Sequence, residues 1–214
     1  GTTSNLVGVT YGNSKFLTLT GSMDNGSNST ATVLTSSDGT SWTSSSATCS
    51  TCDNITVSIN DVTYGNSTFV AVGSSGKILT SSDGTSWDNR SSGTTSNLVG
   101  VTYGNSKFLT LISSWTGVAD NSSLGGDNGS PTTGTVLTSS NGTTWTSTST
   151  TCSTCDNSSF TLTDVTYGNS TYVAVGQSGK ILTSSDGTSW DNRSSGTTSN
   201  LVGVTYGNSK FLTL

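Results

Sequence analysis

Along this chain the apolar positions come in short alternating runs, each closed by glycine, asparagine, aspartate or serine. A side-chain period of two marks a strand, and the closing residues are those that tolerate turn conformations. Over residues 57–89 the pattern predicts strands at Val57–Tyr64, Thr68–Gly73, Lys77–Ser81 and Ser86–Asn89. Gly65-Asn66 and Asp83-Gly84 are the expected tight turns, because both pairs accept positive φ. Phe69-Val70-Ala71-Val72 alternates bulk from face to face, as a strand packed on both sides does. No segment combines a helical period with caps, and the single proline, Pro131, falls in a long variable loop.

The pattern repeats. GTTSNLVGVTYGNSKFLTL stands at Gly1–Leu19, Gly93–Leu111 and Gly196–Leu214, and Asp61–Leu111 matches Asp164–Leu214 except at Phe69/Tyr172 and Ser74/Gln177. One long unit therefore covers 1–92, a second 93–195, and a third begins at 196–214. The second is longer only between Ile112 and Gly134, against Thr20–Ala31 in the first, and such tolerance marks an exposed loop. Each unit splits into two related halves, giving modules at about 1–46, 55–92, 93–149 and 158–195. Every half runs through a Tyr-Gly-Asn turn (Tyr11, Tyr64, Tyr103, Tyr167, with Tyr206 opening a fifth) to a closing tryptophan at Trp42, Trp87, Trp145 or Trp190. A four-stranded antiparallel module of this length has the size of a β-propeller blade, and one such sheet buries too little apolar surface to stand alone. The expected fold class is all-β: tandem four-stranded antiparallel blades, closed into a propeller or stacked as an open array.

Composition changes the picture in two ways. Apolar residues make up only 29% of the chain, yet a net charge of −5 with 9% charged residues is too little charge for disorder by self-repulsion. All twelve acidic residues are Asp, the basic ones are five Lys and two Arg, and there is no His and no Glu. A pI near 4.2 without a basic cluster argues against nucleic acid as a partner. No apolar run approaches the roughly 18 residues of a membrane helix. Ser and Thr, roughly two-fifths of the residues, suggest a secreted, extracellular or cell-surface protein. A chain that begins inside a repeat reads as a piece of something longer.

The run Ser-Ser-Asp-Gly-Thr-Ser-Trp, at Ser36–Trp42, Ser81–Trp87 and Ser184–Trp190, resembles the Asp-box, or BNR, repeat of sialidase-type propellers and of bacterial secreted and surface repeat arrays. Asp and Gly are adjacent here, where the usual box has one residue between them, and the remaining copy carries Asn141 in place of Asp38, Asp83 and Asp186. The resemblance implies a structural hairpin in which the carboxylate accepts N–H groups of its own turn and the tryptophan covers the sheet, a role Asn141 also fits. A sialidase site resembles three arginines around a carboxylate beside a Tyr/Glu pair. Arg90 and Arg193 alone, with no Glu, do not supply it.

Three further sets of residues are candidates. Cys49/Cys52 and Cys152/Cys155 fit two local disulfides, a four-cysteine zinc site, a redox pair or links between chains. The spacing within each pair suits a local ring best. Eleven Asn-x-Ser/Thr sequons stand at Asn25, Asn28, Asn54, Asn66, Asn89, Asn121, Asn128, Asn141, Asn157, Asn169 and Asn192. They are possible N-glycosylation sites in surface loops. Asp24-Asn25-Gly26 and Asp127-Asn128-Gly129 hint at calcium but lack the spaced ligands of a binding loop, so turns are the simpler reading.

With so few acid–base and nucleophilic side chains, the sequence leads to the expectation of a non-enzyme without metal or cofactor, a structural subunit of an extracellular fibre, sheath or stalk whose partners are other copies of itself. The alternative is a secreted propeller lectin or adhesin that binds glycans through aromatics such as Tyr11, Tyr64 and Trp115.

Overall fold

The computed structural model describes residues 2–23, 31–49, 51–52, 57–117, 131–155 and 158–214. Two compact units make up the chain: Gly1–Thr110 with Thr138–Thr146, and Leu111–Leu137 with Ser147–Leu214.

The first unit opens with β1 (Leu6–Gly12), β2 (Lys15–Thr20), β3 (Ser22–Met23), β4 (Ala31–Ser36) and β5 (Thr43–Cys49). β1, β2, β4 and β5 form one antiparallel blade. The next blade is β6 (Val57–Gly65), β7 (Thr68–Gly73), β8 (Ile78–Ser81) and β9 (Ser86–Arg90), again antiparallel and within a residue of the predicted strands. All nine strands follow the order β1-β2-β4-β5-β9-β8-β7-β6-β3. Two short pairings join the blades. β5 meets β9 in parallel through Thr48↔Ser86 and Cys49↔Trp87, and β3 adds to β6 through Ser22↔Ser58. Neither pairing is encoded in a local pattern.

The second repeat supplies β10 (Leu98–Gly104), β11 (Lys107–Ile112), β12 (Ser114–Trp115), β13 (Thr132–Ser139), β14 (Thr146–Cys152), β15 (Phe160–Gly168), β16 (Thr171–Gly176), β17 (Ile181–Ser184) and β18 (Ser189–Arg193), ordered in the same way. A last hairpin, β19 (Val204–Gly207) with β20 (Lys210–Thr213), follows. The all-β, four-stranded antiparallel expectation holds, and the only helical pieces among the described residues are the 3₁₀ turns Ser74–Gly76 and Gln177–Gly179.

Burial follows the alternation. In the first unit Leu17, Leu19, Val33, Ile59, Phe69, Leu79 and Trp87 make one core. In the second, Leu162, Val165, Tyr172, Val175, Leu182 and Trp190 are buried, and Trp115 meets Trp190 edge-on at 6.1 Å.

The Tyr-Gly-Asn turns differ from expectation in an instructive way. β6 ends at Gly65 opposite Thr68, so the turn residues are Asn66-Ser67, with φ of 42° and 57°. Asn13-Ser14, Asn105-Ser106, Asn169-Ser170 and Asn208-Ser209 are equally left-handed. Asparagine tolerates that region through its short polar side chain. The preceding glycine serves close approach instead: a Cβ on Gly12 would lie 2.0 Å from Tyr64, and one on Gly168 2.1 Å from Tyr206. The inner strands that carry Tyr64, Tyr103 and Tyr206 are thereby laid against the turn of the blade before them.

Candidate functional site

Each box is a self-contained turn. Asp83 Oδ1 accepts N–H bonds from Thr85 (2.7 Å) and Ser86 (2.8 Å), Ser81 Oγ donates to Asp83, and Trp87 Nε1 donates to Gly84 O (3.1 Å). Asp38 and Asp186 accept the corresponding pairs of N–H groups, and Asn141 Oδ1 accepts them from Thr143 and Thr144. Burial pushes the Asp83 and Asp186 carboxyls up, but the N–H groups of Ser86 and Thr85, and of Ser189 and Thr188, hold them well below the usual carboxylate range. The N–H groups of Ser41 and Thr40 do the same for Asp38. A carboxylate this well solvated by its own turn has little reason to take up a proton.

The cysteines form Cys49–Cys52 and Cys152–Cys155 disulfides. Each small ring also grips a neighbouring outer strand: Thr51 Oγ1 accepts the Asn89 N–H at 2.7 Å, and Thr154 Oγ1 accepts that of Asn192 at 2.8 Å. The two disulfides are consistent with a secreted or extracellular protein, and no helix among the described residues is long and apolar enough to cross a membrane.

Of the sequons, Asn66 and Asn169 sit exposed in tight turns, Asn141 is engaged in its box, and Asn89 and Asn192 lie on outer strands. Asn25, Asn28, Asn54, Asn121, Asn128 and Asn157, with Asp24 and Asp127, lie outside the described residues. Tyr11 is exposed, whereas Trp115 is buried.

The concave features are repeated clefts that sequence reasoning did not pick out. Strands alternate in direction, so the β7–β8 and β9–β10 connections emerge on one face and the hairpin turns and boxes on the other. On the first of these faces Ser75, Gly76, Lys77, Asn89, Arg90 and the 91–95 link enclose a cleft of about 620 Å3. Ser178, Gly179, Lys180, Asn192, Arg193 and the 194–198 link enclose its counterpart, about 580 Å3, in the second unit. The walls are held by backbone N–H groups bonded to asparagine side chains. Ser75 N donates to Asn97 Oδ1 (3.0 Å), and Ser178 N to Asn200 Oδ1 (3.1 Å). A Cβ on Gly76 would strike Thr94 O at 1.9 Å, so the loops close on each other without room for a side chain. Arg90 is steadied by Thr80 Oγ1 (2.8 Å) and Asp88 Oδ2 (3.0 Å), and Arg193 by Thr183 and Asp191.

On the inner strands, β-bulges turn polar side chains toward the next blade. Asp61 Oδ2 accepts the Val101 N–H at 2.8 Å, and Asp164 Oδ2 accepts that of Val204 at 2.7 Å. Burial pushes the Asp164 carboxyl up to about 6, against the pull of the Val204 and Val165 N–H groups. This is a carboxyl that can hold or release a proton near neutral pH.

No family model matches the chain, and no curated protein does. Solved structures do share its fold. A β-xylosidase (RS223) superposes with a TM-score of 0.59 at 10% identity, over 98% of this chain and 85% of that one. A GH43_1 enzyme from Xanthomonas citri complexed with xylose gives 0.58 at 10% identity, over 100% and 81%. A GH130-family structure, from work on glycoside hydrolases that target β-1,2 mannosidic linkages in Candida mannan, gives 0.54 at 11%, over 97% and 80%. The fold is β-propeller-like.

These likenesses correct two expectations. The fibre, sheath or stalk subunit and the non-enzyme were inferred from a shortage of His and Glu, but solved structures that share this fold include glycoside hydrolases. The inference failed because it counted residue types. Burial turns an ordinary Asp into a group that titrates near neutrality, as at Asp164, and no His or Glu is needed for that.

Proposed function

We propose that the chain is a secreted, glycan-processing β-propeller of the Asp-box type. It binds polysaccharide in the twin clefts, one in each unit. The observation that carries this reading is the cleft itself, built twice from the same hydroxyl, amide and cationic side chains. Sugars are recognised by such dense donor and acceptor sets. The glycoside hydrolases that share the fold support it, as do the disulfides for an extracellular setting.

The experiment is incubation of the purified chain with xylan, arabinan, mannan and acidic polysaccharides between pH 4 and 8, reading reducing-end release together with binding. Binding of at least one polymer, with release of reducing ends from it, is the expected result. Absence of both binding and release on every polymer overturns the proposal.

A further inference from the structure

The twin clefts concentrate positive charge in a protein that is otherwise acidic. Four of the seven Lys and Arg residues of the chain line them: Lys77 and Arg90 in one, Lys180 and Arg193 in the other. No Asp lines either cleft, although the net charge of the chain is −5. Asp88 and Asp191, which pair with the arginines, line neighbouring hollows that Arg90 and Arg193 also border. Each arginine spends its Nε–H on a threonine hydroxyl and one Nη2–H on its aspartate, which fixes the plane of the guanidinium. Three of its five N–H groups are left for an acceptor from outside. The Lys77 ammonium has no hydrogen-bond or ion-pair partner among the described residues.

A second observation concerns the same wall. Asn89 Oδ1 is buried without a donor among the described residues. That atom is closed off from a ligand, but the hydroxyl residues Ser75, Ser91, Ser92, Thr94 and Thr95 line the cleft and suit a polyhydroxyl ligand, beside the cations that call for an anion. A ligand that is at once hydroxyl-rich and negatively charged answers both requirements.

We infer that each cleft binds an anionic sugar, a uronate or sulfated unit of an acidic polysaccharide, its charged group held by Lys77 and Arg90 in the first cleft and by Lys180 and Arg193 in the second. This rests on the glycan reading above and names the class of glycan. An acidic polymer has such groups at regular intervals, so it offers a charged unit to each cleft.

Titration calorimetry of the whole chain with polygalacturonate, chondroitin sulfate and xylan tests the assignment. The expected result is binding of at least one acidic polymer about tenfold or more tighter than xylan at low salt, in line with charge-assisted contacts, and weakening as salt rises. Preference for polygalacturonate assigns the anion as carboxylate, and preference for chondroitin sulfate as sulfate. Lys77→Glu disables one cleft and lowers the number of saccharide segments bound per chain from two to one. Its unpartnered ammonium makes an unchanged melting temperature the accompanying control. Equal affinity for xylan, or an unaltered stoichiometry in Lys77→Glu, overturns the anionic assignment while leaving the glycan reading in place. Failure of all three polymers to bind overturns the anionic assignment, and failure of arabinan and mannan as well removes the glycan reading with it.

Discussion

The ring of Tyr103 occupies the space where Gly65 has no side chain: a Cβ there would stand 2.0 Å from Tyr103 Cγ. Tyr103 in turn packs on Phe108 of its own blade at 4.7 Å, so the tyrosine cannot retreat without breaking that pair. Gly65→Ala therefore forces either the ring or the inner strand to move. Overpacking of this kind costs about 1–3 kcal/mol, and chemical denaturation checks it. The same substitution at Gly93, where no atom lies within 4 Å, relieves no clash and meets none. Its cost is confined to the positive φ of 74°, at about 1 kcal/mol. Equal losses at the two glycines would show that the Tyr–Gly contact does not hold the blades together.

The boxes yield a prediction about chemistry rather than size. Asn141 makes the same two backbone contacts as Asp83, at 2.9 and 3.0 Å against 2.7 and 2.8 Å. Asp83→Asn should thus cost about 1 kcal/mol or less at neutral pH, whereas Asp83→Ala orphans both N–H groups and costs about 1–3 kcal/mol. The low pKa of Asp83 gives the sign of the pH effect: its contribution is present above the ordinary carboxylate value and is lost as pH falls below it. Asp83→Asn removes that acid sensitivity. Denaturation at pH 7 and pH 3 separates the three chains.

What the sequence makes legible here is what depends on neighbours in sequence. The strands of the second blade, the Asp83 turn and the Cys49–Cys52 ring are each decided within a few residues, and the alternation of Phe69 to Val72 tells which faces are covered. What it hides depends on residues about 38–40 apart that meet only after folding: Asn89 with Thr51, Val101 with Asp61, and Val204 with Asp164. The parallel β5–β9 pair and the clefts belong to this class. Gly65 was read as a turn glycine because the local pattern cannot show Tyr103 arriving from the next blade. Counting His and Glu was a poor guide for a related reason, since the proton affinity of a carboxyl such as Asp164 depends on its burial and not on its residue type alone.

Two tryptophans at the same place in the box predict a contrast. Trp87 is 1% exposed inside the first core, and Trp42 is 40% exposed. Both donate Nε1–H to the glycine carbonyl of their own turn at 3.1 Å. The hydrogen bond is common to both, so any difference between Trp87→Ala and Trp42→Ala reports burial. The expected costs are about 3–5 kcal/mol for Trp87 and about 1 kcal/mol for Trp42. Similar losses in urea unfolding would assign the stabilisation to the turn instead of the core.

Asp164 supplies the opposite pH dependence to the boxes. Its folded pKa of about 6 stands above the ordinary 3.8, so between those values the folded chain keeps a proton that the unfolded chain has released. Stability from this group is full below about pH 4 and is lost as pH rises through 6. The slope for one proton cannot exceed about 1.4 kcal/mol per pH unit. Asp164→Asn, neutral at every pH, abolishes the slope and keeps one acceptor for the Val204 or Val165 N–H. Melting temperatures of the two chains should therefore diverge between pH 5 and 7, the native falling relative to the variant. If the curves run parallel, the carboxyl titrates at its ordinary value, and Asp164 is a clasp between strands with no proton to give near neutral pH.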